Sequence, residues 1–92
     1  RGLGVCVTEL RHLYNMSKAP LQSMQDWCAA VRSQASVLSD LDVTLRANEI
    51  FITLTRGVSD RYDAVIVQLA ALDDNKHSID AIIQALVDQE SQ

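Results

Sequence analysis

The residues of this chain whose chemistry could exceed packing are few: His12, His77, Cys6, Cys28 and the adjacent acids Asp73-Asp74. A zinc site needs several Cys, His or acidic ligands at close, regular spacing, and neither histidine has such neighbours. A nucleophilic cysteine needs a base within hydrogen-bond reach, and nothing in the order of residues brings Cys6 or Cys28 to one. Asp73-Asp74 opens the run Asp73-Asp74-Asn75-Lys76-His77, which reads as a solvated turn with hydrated acids. No glycine-rich phosphate loop is present. The expectation is a protein without catalytic, metal-binding or cofactor-binding residues, one that is not an enzyme and whose work is contact. Cys6 and Cys28, alone and far apart, read as small buried hydrophobes, with a disulfide as the other possibility. Free thiols fit a reducing cytosol, hence a cytoplasmic expectation.

The elements that would position these residues are helical. Ninety-two residues form one domain that buries roughly 60–65% of its unfolded surface. Ala, Leu, Ile, Val, Gln and Asp dominate between turn signals, which favours helices over a sheet. The net charge is −4, with acids spread along the chain. Phosphate contact requires clustered Lys and Arg, so direct nucleic-acid binding by this segment is not expected. No apolar run approaches the ~18–20 residues of a membrane span. Arg1 in place of a methionine points to a piece of a longer protein.

Apolar spacing predicts a first helix over 5–15, ended by the break Asn15 to Pro20, and a long second helix over 24–39. Ser23 and Asp26 make a capping box for the second helix, and Met24, Trp27, Cys28, Val31, Ala35 and Leu38 form its stripe. Thr44 is the N-cap candidate for a third helix over 45–56, with Ala47, Ile50, Phe51 and Leu54 on its inner face. Leu45 and Ile52 then fall outside, beside Glu49 and Arg56. Two readings stay open there: solitary surface apolar residues, which are common, or a partner surface. Gly57 suits a positive φ at the end of that helix, and Ser59 suits an N-cap. The fourth helix, over 60–72, should bury Tyr62, Val65, Ile66 and Leu69, with Leu72 closing the stripe and Val67 pointing away. Ser78 caps a fifth helix over 79–90 with Ile79, Ile82, Ile83 and Leu86 inward. The fold class expected is all-α, a compact bundle of about five short helices. It divides into residues 1–19, the first helix and its linker, and residues 20–92, a four-helix core.

The run Gly57-Val58-Ser59-Asp60-Arg61-Tyr62-Asp63 resembles the Gly-Leu-Pro-x-x-Tyr-Asp signature in the Gag polyprotein of copia-type LTR retrotransposons, with Val58 and Ser59 at the leucine and proline. Leu10-x-x-Leu13-Tyr14-Asn15-Met16 and Ser23-Met24-Gln25-Asp26-Trp27 are similar to a helix end and a helix start of that family. Leu41-Asp42-Val43-Thr44-Leu45 resembles a further segment, with Asp42 at the family's glycine. Ser78 to Glu90 looks like the family's closing helix, without its final arginine. A more distant likeness is to the C-terminal domain of retroviral capsid proteins.

The resemblance implies a structural, self-associating capsid domain that forms homodimers or higher assemblies and helps build a virus-like particle around RNA. RNA contact itself would fall to other Gag regions. Together with the outward Leu45 and Ile52 it places the dimer interface on Leu45, Glu49, Ile52 and Arg56, while apolar spacing assigns Trp27, Phe51, Leu54 and Tyr62 to the core. The alternative is a cellular helical adaptor, monomeric by itself, that takes a partner peptide or helix in an apolar groove.

Overall fold

A computed structural model describes residues 2–72 and 78–92. Among these residues the chain is all-helical, with no strand. The elements in order are α1 (Leu3–Asn15), α2 (Met24–Asp40), α3 (Ala47–Thr55), a single 3-10 turn (Asp60–Tyr62), α4 (Asp63–Ala70) and α5 (Ile79–Glu90). Asp73-Asp74 and His77 lie outside the described residues.

α2 is the axis of the bundle, packing against α1, α3 and α5. Its expected stripe is buried as read: Met24, Trp27, Cys28, Val31 and Leu38 are sealed, and Ala35 is half-buried. They meet Leu13, Ile50, Leu54, Tyr62, Leu69, Ile82 and Leu86 in one core. Phe51, expected there too, only leans on its edge. The Cα envelope measures 44 × 32 × 16 Å. With helices packing about 8–10 Å apart, the short axis holds little more than two helix layers. A slab this thin has broad faces, which bears on the apolar residues left outside.

The end of α2 is a Schellman motif. Val43 N–H donates to Leu38 O (2.9 Å) and Asp42 N–H to Ser39 O (3.0 Å). Val43 also packs against the core that Leu38 enters. This motif places its C′ residue in the left-handed region, where glycine is normally found. Here that residue is Asp42, at φ +64°. Aspartate tolerates the conformation better than most side chains, but not freely. Asp42→Gly is therefore expected to stabilise the fold by roughly 0.5–1 kcal/mol, read as a higher urea midpoint at unchanged slope.

Four expectations need correction. The third helix begins at Ala47, and its N-cap is Arg46 rather than Thr44. Residues 43–46 lie outside any helix, Arg46 with an extended backbone, and their burial alternates: Val43 and Leu45 are half-buried, Thr44 and Arg46 exposed. Leu45 thus packs against the core from the segment before the helix and does not stand on the outer face of a helix. Ser59 does take the N-cap position, of a 3-10 turn that closes through Tyr62 N–H to Ser59 O (3.1 Å), but its hydroxyl makes no capping bond. The fourth helix ends at Ala70, so Leu72 lies beyond it and is exposed. The fifth helix spans the expected residues, with Ser78 Oγ accepting from Ala81 N–H at 3.1 Å.

Candidate self-association surface

The four residues expected to form a dimer patch do not share one exposed face. Ile52 does stand outside on α3, 59% exposed. Glu49 and Arg56 flank it half-buried, and Leu45 is turned to the core. Glu49 also has a task within its own chain, because its Oε1 accepts the Arg46 N–H at 3.1 Å and so caps α3. Arg56 holds its Nη1 buried without a hydrogen-bond partner among the described residues. The expected patch is therefore Ile52 with a polar surround.

More apolar surface lies on α1. Leu3 is 81% and Tyr14 47% exposed, and Val7 is exposed between them. α1 reaches the core chiefly through Leu13, with Leu10 and Met16 at its margin. It is tied to α2 by Gln34, whose Nε2 donates to Glu9 O (3.0 Å) and Glu9 Oε2 (2.7 Å). Gln34 is buried and was not expected to be. Its position, three residues after Val31, belongs to the inward stripe, and only its polar type concealed that. Thr53 is likewise buried, its hydroxyl donating to Glu49 O.

The glycine corner is held by contacts that spacing does not reveal. Gly57 takes φ +75°, as expected of a helix-ending glycine. The free carbonyl of Leu54, in the last turn of α3, accepts the Trp27 indole N–H at 2.8 Å. Nearby, Glu90 Oε2 accepts the Met24 N–H at 2.7 Å, bringing a carboxylate to the N-terminus of α2. Arg61 Nη2 donates to the carbonyls of Gln89, Glu90 and Gln92, at 3.0, 3.1 and 3.3 Å, closing the C-terminus of α5. Each charge thus opposes the helix end of opposite sign. Beside this clasp lies an open groove of about 570 Å³ between the Lys18–Ser23 segment and the Gly57 corner, with Arg61, Tyr62 and Glu90 in its wall. Nothing in the sequence pointed to it, since its walls come from segments far apart in the chain.

Both cysteines are free. Cys28 is buried, and Cys6 is half-buried with its Sγ 3.9 Å from Leu41 O. Burial first, and then the Glu90 charge, pushes the Cys28 thiol up to about 11, with Arg32 partly opposing. Burial also raises Tyr62, again with Glu90 contributing. His12 is exposed. Among the described residues no group of three or more His, Cys, Asp or Glu could hold a metal ion. No described helix is long and apolar enough to cross a membrane.

Fold and surface together define a small all-α helical domain with apolar side chains on α1 and α3 left outside its core. No protein-family model, curated protein or solved structure matches the chain.

Proposed function

We propose that this domain is a self-association module of the kind found in copia-type Gag capsids, building a cytoplasmic virus-like particle through weak, repeated contacts between copies. The observation that carries the reading is Ile52, an isoleucine held in solvent by a helix whose inward face is already filled by Ile50 and Leu54. Burying apolar surface is the general driving force of association, at about 25 cal/mol per Å² before its costs. A symmetric pair uses the same patch on both copies, so a single exposed isoleucine is counted twice. The backbone supports the reading as well. Asp42, aligned with a glycine of the family, has the left-handed φ that a glycine would favour, and Gly57 has it too.

Ile52→Glu is expected to leave helical circular dichroism unchanged and to weaken association at least roughly tenfold, since a loss of 1.4 kcal/mol suffices for that. Sedimentation velocity over a concentration series checks it. An association state identical to wild type would remove Ile52 from any interface.

The groove beside Arg61 favours the second reading, a helical adaptor that takes a partner peptide. Such an adaptor would sediment as a monomer at all concentrations, which separates the two.

A further inference from the structure

α1 is an unusual helix for the edge of a small domain, because its best-aligned apolar residues are not the ones it buries. Leu3, Val7, Leu10 and Tyr14 follow one another at intervals of four, three and four residues. At about 100° per residue they fall within an arc of about 60°. That spacing is the d-a-d-a order of a coiled-coil seam, with leucine at both d positions and β-branched Val7 at an a position, a choice that favours two strands. α2 covers the neighbouring stripe, where Leu13 and Cys6 point, and leaves this one largely open. Leu10 is half-buried at the border between the two stripes, so the seam continues the core outward.

We infer that α1 carries a second self-association surface, the seam Leu3–Val7–Leu10–Tyr14, and that its occupant is the same helix of another copy of this chain. The inference rests on the self-association reading above and adds to it a contact separate from the one on α3. Charge selects the occupant. In a chain of net charge −4, copies repel wherever acidic surfaces meet. α1 balances Glu9 with Arg11, whereas α2, α3, α4 and α5 each carry more Asp and Glu than Lys and Arg. Glu9 is moreover turned toward Gln34 of its own α2. α1 is thus the helix that two copies can bring together without opposing carboxylates. Area sets the strength. Two heptads bury on the order of a few hundred Å² per copy, well under the roughly 800 Å² per partner of a stable complex. The contact is weak alone and gains from repetition. Two independent two-fold contacts on one chain, at α1 and at Ile52, link copies into open-ended assemblies instead of stopping at a dimer.

The test is a set of four proteins in sedimentation velocity over a concentration series: wild type, Val7→Glu, Ile52→Glu and the double variant, each checked for helical circular dichroism. Wild type is expected to form species larger than a dimer, each single variant to stop at a dimer, and the double variant to be monomeric. If Val7→Glu assembles like wild type while Ile52→Glu does not, the seam is overturned and the Ile52 contact stands. If Val7→Glu disrupts assembly and Ile52→Glu does not, the seam stands and the α3 contact falls. A wild type that is monomeric throughout overturns both. Should Val7→Glu lose helical signal, Tyr14→Glu, which alters the other end of the seam, replaces it with the same two outcomes.

Discussion

Trp27→Ala is expected to remove about 3–5 kcal/mol of unfolding free energy, the usual cost of truncating a large buried aromatic. For a domain of this length the total is on the order of 5–14 kcal/mol, so the variant forfeits from about a fifth of its stability to nearly all of it. Trp27 is 2% exposed at the centre of the core, and no collapse of the surrounding helices fills its volume cheaply. It also supplies the partner for a buried carbonyl, Leu54 O in the last turn of α3. Trp27→Phe separates the two contributions. It keeps most of the ring but leaves that carbonyl unpaired, at about 1–3 kcal/mol. Urea unfolding followed by circular dichroism reads both. The alanine variant should show the larger drop in midpoint, at least about a fifth of the wild-type value, and the phenylalanine variant a smaller one. Equal losses in the two would mean that the hydrogen bond, and not the ring, carries the site.

Alkaline pH is the second lever on stability. The Cys28 thiol ionises near its ordinary 9.0 in the unfolded chain but is held up to about 11 in the fold, because burial and the Glu90 charge both penalise the thiolate. Between these values the unfolded state binds fewer protons than the folded one, so stability falls as pH rises. The contribution is intact below pH 9 and is lost by pH 11, a total of roughly 2–3 kcal/mol at 1.36 kcal/mol per pH unit. Tyr62, raised from an ordinary 10.0, adds to the loss in the same direction at the upper end. Unfolding midpoints measured from pH 8 to 11 should therefore drop steeply, and Cys28→Ala should flatten the part of the curve nearest pH 9. A slope that survives the substitution unchanged would assign the loss to other groups.

Both effects converge on one corner, where Trp27, Leu54, Glu90, Met24 and Arg61 lock α2, α3 and α5 together. The run Gly57 to Asp63 passes through that corner. Within it Tyr62 is core and Arg61 is the clasp of α5, so these two residues hold the fold together whatever the surfaces of α1 and α3 meet.

Helical periodicity was enough to place α2 and α5 and to pick most of the buried side chains, because a stripe at 3.6-residue spacing has one way to hide from water. Local chemistry was enough for the turns that use it: Ser23 and Ser78 cap as their types dictate, each through its hydroxyl, and Gly57 takes the conformation it alone takes cheaply. Leu45 marks where that logic stops. A leucine two residues before a helix looks outward if the helix is extended backward over it, and can turn inward if residues 43–46 stay outside the helix. The choice belongs to Val43 and Leu38 across the Schellman turn, not to Leu45 itself. The same holds for Gln34 and Glu90, polar residues whose partners lie 25 and 66 positions away. Spacing determined which faces are apolar. Only the packing of α2 among its neighbours decided that Leu45 lies inside while Ile52 and most of the α1 seam stay outside, because a slab 16 Å thick has no further interior in which to hide them.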